Sequence, residues 1–352
     1  MLTALLSAQR VPPRHRGALA AVCGLLAAMI TLQKNAREQT PRDFEQVWFA
    51  ARSLLRGAYP YSQIGPGMAF DWPFPLVYPL PAAVIALPLA PFPVQTATVL
   101  FSAIAGAAFA WALMEYGYGP LFGFFSMPVR AAFETVQWSP LLSASMVVTP
   151  LAMLFAAKPT VGGALFLARP SRWAFLGAAL FGGAAFLIQP GWVADWLGAI
   201  DRYEAIMAPT VPYRAPITFT GGIVVLLCLL RWRRWEARLV AALACVPQTL
   251  VLYEAVPLML VARTFWQSVA LVTMSYVGHV WVRVQLPPVH DDGVTYDLVG
   301  QAMIWSLYVP CTLLILRRTN AGRLPAWLER RTAGWPAWLR GTPEAPRSRP
   351  ST

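Results

Sequence analysis

The sequence predicts an all-α, polytopic transmembrane helical bundle, and three observations carry that prediction. First, only 12% of the 352 residues are charged and 57% are hydrophobic, with a mean hydropathy of +0.51. A soluble domain is ~25% charged, so this chain has too little polar surface to coat a water-soluble globule. A soluble enzyme, a secreted disulfide scaffold and a disordered chain are thereby excluded. Second, apolar runs separated by short basic turns recur from residue 17 to residue 316. Third, the 32 prolines make up about 9% of the chain against a usual ~5%. Membrane helices tolerate proline because neighbouring helices and trapped water re-satisfy the freed carbonyls. Kinked and broken helices are expected.

The first apolar run, 17–33, follows Arg10, Arg14 and Arg16 and precedes Lys34 and Arg37. No small-x-small cleavage site follows it, so it is expected to be a retained first span rather than a signal peptide. Residues 34–75 form a long polar and aromatic loop. Within it Phe44, Val47, Trp48, Ala51 and Leu55 recur at three- and four-residue steps, the period of an amphipathic helix lying on the membrane surface. Gly57 is its expected C-terminal cap. The prolines of "FDWPFPLVYP" exclude regular helix at the end of the loop.

Further spans are expected near 76–92, 94–114, 119–133, 139–168, 173–189, 217–231, 238–252, 253–263, 265–282 and 298–316, about eleven in all. The run 139–168 is interrupted by Pro150 and by Lys158–Pro159. Residues 190–216 are a second polar segment, in which "WVADWLGAIDRYEAI" reads as another interfacial helix with Trp192, Trp196 and Tyr203 at headgroup level. Residues 1–316 form the transmembrane domain. Residues 317–352 form a basic, Pro- and Arg-rich tail with eight arginines and two glutamates, expected to be flexible and to touch anionic lipid.

The net charge of +12 is assigned to orientation rather than to nucleic acid, because the arginines flank hydrophobic spans. By the positive-inside rule both termini are cytoplasmic in an inner cell membrane. The polar segments 34–75, 190–216 and 283–297 are then external. Cys23, Cys228, Cys245 and Cys311 all lie in apolar runs without metal-site spacing and are expected to be buried packing residues.

Polar residues in such a chain are few, and each has a functional and a structural reading. Asp43 and Glu45 stand at the start of the surface helix. Asp43 follows Pro41, and a helix N-terminus keeps a carboxylate ionised, as a general base requires; a simple helix-end charge fits equally. Glu254, in "LYEAVP", is a carboxylate inside an apolar stretch, either functional by default or structural glue for an arginine. Tyr59, Tyr61, Trp72 and Tyr78 are placed to stack on sugar faces or to form an aromatic belt. His290, Asp291 and Asp292 make a short turn that suits solvent better than a metal.

Beyond these single residues, "DFEQVWFAARSLLRGAYPY" and "FPLVYPLPAAVIALPLAPFP" resemble the start of the glycosyltransferase family 87 proteins. These are membrane enzymes of the GT-C superfamily that use polyprenyl-phosphate sugars, including mannosyl- and arabinofuranosyltransferases. The resemblance covers about residues 40–170. It matches the family's first-loop Asp at Asp43, its "G-x-x-x-Y" turn at Gly57–Tyr61 and its "Y-x-P" helix entry at Tyr78. "VQWSPLL" is similar to its "G-Q-x-(N/S)-x-L-L" at Gln137, with Val136 where the family has Gly. "AAKPTVGGAL" is similar to its "L-K-P" segment at Lys158. The resemblance implies an inverting transfer of a mannose- or arabinose-like sugar at the external face. The donor is a polyprenyl-phosphate sugar, the acceptor a lipid or glycan, and no cofactor or divalent metal takes part. Asp43 is then the general base, and Glu45, Tyr59, Tyr61, Tyr78, Gln137 and Glu254 contact substrate. The leaving lipid phosphate calls for a cation, for which Lys158, Arg214, Arg263 and Arg283 are candidates. Lys158 reads otherwise as a snorkelling helix-end lysine and Arg214 as an interfacial anchor. A transporter or flippase, or an inactive subunit on the same scaffold, is the alternative; no internal repeat of the transporter kind is visible.

Overall fold

Helices run long where the apolar sequence lacks internal proline, and short where proline or glycine recurs. The computed structural model describes residues 11–37, 42–207, 214–247, 252–287, 292–322 and 326–342. Arg10, Pro41, the end of the second polar segment (208–213), residues 248–251 and the His290–Asp291 turn lie outside the described residues.

The α-helices are, in chain order, α1 Pro13–Arg37, α2 Asp43–Leu55, α3 Leu80–Ala86, α4 Val94–Leu113, α5 Met127–Glu134 and α6 Ser139–Ala144. There follow α7 Pro159–Ala168, α8 Arg172–Ile188, α9 Trp192–Met207, α10 Trp235–Cys245 and α11 Phe265–Gln285. The last are α12 Asp292–Met303, α13 Val309–Leu316, α14 Ala326–Thr332 and α15 Ala337–Arg340. The chain is mostly helical, as expected. Among the described residues three helices, Pro13–Ala36, Val94–Tyr116 and Val294–Leu316, are long and apolar enough to cross a membrane, and α8 with α9, bent by 93°, makes up to four. The sequence-based count of eleven is not reached by these helices. Several expected spans are instead short 3₁₀ segments: Thr149–Ala157, Gly222–Arg231 and Leu252–Val261. Ten 3₁₀ residues rise roughly 20 Å, less than the ~30 Å of a hydrocarbon core. Pro150 opens the first, Gly221 and Gly222 the second, and Pro257 interrupts the third.

Helices α1 and α4 cross closely because small residues face each other. A Cβ added at Gly106 would lie 2.5 Å from the Ala27 Cβ, and one at Gly24 would lie 2.7 Å from the Ala103 carbonyl. This is the small-residue packing of membrane helices. Thr31 Oγ1 adds bonds to Ser102 Oγ at 2.7 Å and to the Phe133 carbonyl at 2.9 Å.

The amphipathic segment is α2, but it is packed into the bundle rather than resting on it. Phe44, Val47 and Ala51 are fully buried, and Phe44 stacks on Phe101 at 4.2 Å. Gly57, with φ +70°, closes the helix in a left-handed cap: its amide reaches the Leu54 carbonyl, and that of Ala58 reaches Ser53. The remaining loop is pinned by a two-residue parallel pairing of Ile64–Gly65 with Phe70–Asp71. Two of the three polar segments expected on one face meet: Tyr203 on α9 packs edge-on against Phe74, and just beyond the first segment the Val77 carbonyl accepts from Trp196 Nε1 at 2.9 Å.

Three expectations are revised. The described part of the tail is folded rather than loose: Trp232 Nε1 donates to the Leu339 carbonyl at 2.6 Å, and Asn320 Nδ2 donates to the same carbonyl at 2.9 Å. Cys23, Cys228 and Cys311 are buried, but Cys245 is exposed, because it ends α10. Helix α12 starts at Asp292, six residues before the apolar run, since helical hydrogen bonding needs no apolar side chains.

The sidedness read from charge has a direct test. In a Cys245→Ser background, an impermeant maleimide added outside intact cells is expected to label Ser62→Cys and to spare Arg340→Cys; both positions are exposed. External labelling at 340 with protection at 62 would invert the topology.

A buried carboxylate and lysine cluster lining a cavity

Asp43 is the first residue of α2, and Gln46, one turn on, shares its face. Both line a cavity of about 720 Å³, within the range of small-molecule sites. Its wall continues through Trp72 and Tyr78, then Lys158 at the start of α7, and Trp196 and Tyr203 on α9. Tyr253, Glu254 and Tyr296 close it.

Four polar side chains from distant parts of the chain form one string. Gln137 Nε2 donates to Asp43 Oδ2. Lys158 Nζ donates to Gln137 Oε1 at 3.0 Å and pairs with Glu254 Oε1 at 2.8 Å. The orientation of the amide follows from chemistry: an ammonium only donates and a carboxylate only accepts. The Lys158 ammonium also lies 4.9 Å from the Tyr253 ring centre. Its backbone position is dictated by Pro159, which forces the preceding residue out of helical geometry and breaks the apolar run there.

Gln137 is held by a helix cap. After α5, Val136 takes φ +53°, and the Gln137 amide reaches back to the Ala132 carbonyl at 2.8 Å. This is a Schellman turn with valine at the position that favours glycine. A β-branched residue there is strained, by about 1–3 kcal/mol, and Val136 is also fully buried. Val136→Gly therefore relieves strain while losing burial worth about 1.5–3 kcal/mol. Its melting temperature is expected to stay near that of the parent. Val129→Gly, a buried site inside α5, loses burial and helix propensity together and is expected to melt far lower. Equal losses at the two sites would refute the strain.

Burial raises the Asp43 carboxyl above its ordinary 3.8; the Lys158 charge and bonds from Gln137 and Tyr253 pull it back in part. The nearby cation is thus Lys158. Arg42, which precedes Asp43, pairs with Glu45 at 3.0 Å. Two buried acceptors of this cavity, Gln46 Oε1 and Glu254 Oε2, have no hydrogen-bond partner among the described residues.

Of the residues singled out in the sequence, Asp43, Tyr78, Lys158 and Glu254 line the cavity, and Gln137 ties Asp43 to Lys158 from behind. Four others are placed elsewhere. Glu45 faces Arg42. Tyr59 packs on Tyr61, whose hydroxyl donates to the Tyr78 carbonyl. Arg214 pairs with Asp297 at 2.8 Å and lies over Phe219. Of the candidate cations, Arg263 binds Glu236 in a second cavity, Arg283 is exposed in the last turn of α11, and Lys158 lines this one. Gln46 and Tyr253 were not singled out as site residues. The three-residue step from Asp43 was the available signal for Gln46, and adjacency to Glu254 the signal for Tyr253. Among the described residues no group of three or more His, Cys, Asp or Glu side chains is close enough to hold a metal.

Comparison with protein-family models, with curated proteins and with solved structures finds no match to this chain.

Proposed function

We propose that this chain is an integral membrane glycosyltransferase that moves a sugar from a polyprenyl-phosphate donor to a hydroxyl acceptor, with the Asp43 cavity as its active site. The observation that carries this reading is the string Asp43–Gln137–Lys158–Glu254 on the wall of a large cavity. The resemblance to the glycosyltransferase family 87 pattern supplies the reaction class. The left-handed Val136, standing where that pattern has glycine, agrees with it.

In this reading the acceptor oxygen attacks the anomeric carbon, and the bond from that carbon to the lipid phosphate oxygen breaks. The acceptor proton passes to Asp43, and the bonding electrons leave with the lipid phosphate. Lysine has three N–H donors; Gln137 and Glu254 take two, and the third serves the phosphate oxygen as charge grows there. Gln46 Oε1 and Glu254 Oε2 are acceptors for sugar hydroxyls, and Trp72 and Tyr78 offer aromatic faces to the ring. A raised Asp43 pKa suits a base working near neutrality.

Incubating the purified protein with radiolabelled polyprenyl-phosphate sugars and membrane lipids is the test. A new labelled glycolipid is expected from at least one donor. A second reading rests on the buried Lys158–Glu254 pair, which also suits a transporter's coupling site. Donor-independent solute uptake into proteoliposomes, without glycolipid formation, would favour it.

A further inference from the structure

The segment Leu252–Val261 brings two polar side chains, in consecutive positions, to the Asp43 cluster. A 3₁₀ helix has about three residues per turn, so neighbours point about 120° apart, and Tyr253 and Glu254 reach different members of the cluster. Glu254 pairs with Lys158. Tyr253 touches both ends of the string: its ring centre lies 4.9 Å from Lys158 Nζ, and its hydroxyl bonds the Asp43 carboxylate. An ionised carboxylate only accepts, so the phenol is the donor. Tyr253 is buried, and the residues after Glu254, from Ala255 to Val261, are buried and apolar. Burying a hydroxyl in such surroundings costs free energy unless it is bonded. Packing alone would be served as well by phenylalanine, and the bond to Asp43 is what the hydroxyl adds.

A general base in this place faces two opposed demands. Paired directly with the lysine, it would be held firmly ionised and be a poor base, and the lysine would lose the donor that the leaving phosphate needs. Enclosed without donors, it would stay protonated. Neutral donors meet both demands. Gln137 stands between Asp43 and Lys158 and bonds each, and Tyr253 supplies the second neutral donor. The two arrive from different elements, Gln137 from just after α5 and Tyr253 from the segment Leu252–Val261, so together they restrain the rotation of the carboxylate. A carboxylate has about four lone-pair sites, and two bonds leave room for the acceptor hydroxyl.

We propose that Tyr253 is a positioning residue of the Asp43 site: its hydroxyl holds the carboxylate in place as the acceptor's base, and its ring steadies the Lys158 ammonium. The chemical role rests on the glycosyltransferase reading; the hold of Tyr253 on Asp43 is tested apart from it.

Tyr253→Phe removes the hydroxyl and keeps the ring. A hydrogen bond to the ionised form of an acid favours that form. Its loss is therefore expected to raise the acid limb of transfer by about one pH unit, with KM for the polyprenyl-phosphate sugar within about twofold of the parent. The other ionisable groups around Asp43 are Lys158, Glu254, Glu204 on α9, the cavity tyrosines, and the Arg42–Glu45 pair, and the substitution leaves all of them in place. Dicyclohexylcarbodiimide, which adds across a protonated carboxyl, reads the same group without any donor sugar. With the full chain in nanodiscs, the pH midpoint of Asp43 modification, followed by peptide mass spectrometry, is expected to rise by the same unit in Tyr253→Phe. Placing 3-fluorotyrosine at position 253, a stronger donor of the same shape, is expected to lower the midpoint, and this arm decides if the phenylalanine variant fails to fold. An unmoved Asp43 midpoint in a folded Tyr253→Phe, or an acid limb that stays while KM rises, as for a hydroxyl that binds sugar, would overturn the inference. Shifted midpoints without glycolipid from any donor would overturn the glycosyltransferase reading and uphold the hold of Tyr253 on Asp43.

Discussion

Asp43→Asn is expected to insert and fold like the parent, to bind a lipid-linked sugar, and to lose transfer by about 100- to 10,000-fold. Asparagine keeps the shape and can still accept the Gln137 bond, but it cannot take the acceptor's proton. If Asp43 were only a helix-end charge, its loss would cost about 0.3–1 kcal/mol of stability and leave the rate intact. Transfer within about threefold of the parent, well under 1 kcal/mol in barrier, would remove Asp43 from the mechanism. The pH dependence adds a second readout. Burial raises the Asp43 pKa above 3.8, and the base works only when ionised. The rate is therefore expected to fall as pH drops through the raised value, with an acid limb that lies above pH 3.8 and is absent in the variant. Stability runs the other way. Between the unfolded and the raised folded pKa, the folded state binds more protons, so the Asp43 contribution to stability is greatest in acid and declines as pH rises through that window. Asp43→Asn is thus expected to flatten this part of the stability profile, as seen in melting temperature against pH.

Lys158→Met is expected to cost about 3–5 kcal/mol of stability, because it strands Glu254 as a buried, uncompensated charge. The pair is well enclosed, with Glu254 at 5% side-chain exposure and Lys158 at 13%. Adding Glu254→Leu to Lys158→Met removes the stranded charge, and a well-packed apolar replacement of a buried ion pair is often neutral. The double variant is expected to recover most of the stability and none of the transfer, which separates the structural from the chemical role of the lysine. Lys158→Met should also push the acid limb upward, since the Lys158 charge is what chiefly opposes the burial of Asp43. Parent-like melting of the single variant would show the pair to be a solvated contact. Recovery of transfer in the double variant would show that no cation is needed there.

Much of this arrangement was legible locally. The three- and four-residue steps of Phe44, Val47, Trp48 and Ala51 define α2 and the face it buries. Gly57 ends that helix for the reason its sequence position suggests, a left-handed cap. Pro159 after Lys158 marks the break that brings the lysine to the cavity. Apolar length alone does not fix the number of spans. Runs such as 139–168 and 217–231 count as spans by composition, yet proline and glycine divide or shorten them into turns. In one dimension Tyr59 and Tyr61 look like contacts to a sugar and Arg214 like a cation for the lipid phosphate, but the fold gives each another partner.

The sequence by itself determined the membrane-helix character of the chain, the amphipathic helix with Asp43 at its head, and the isolation of Lys158 and Glu254 in apolar surroundings. These follow from transfer free energies and from backbone preferences that act within a few residues. Only the tertiary structure decided that Gln137, 94 positions from Asp43, bonds it, that Lys158 meets Glu254, and that arginines from three parts of the chain share one cavity. Such meetings depend on how whole helices pack and close long loops. A polar side chain in an apolar run declares that it needs a partner, but the packing alone selects which one.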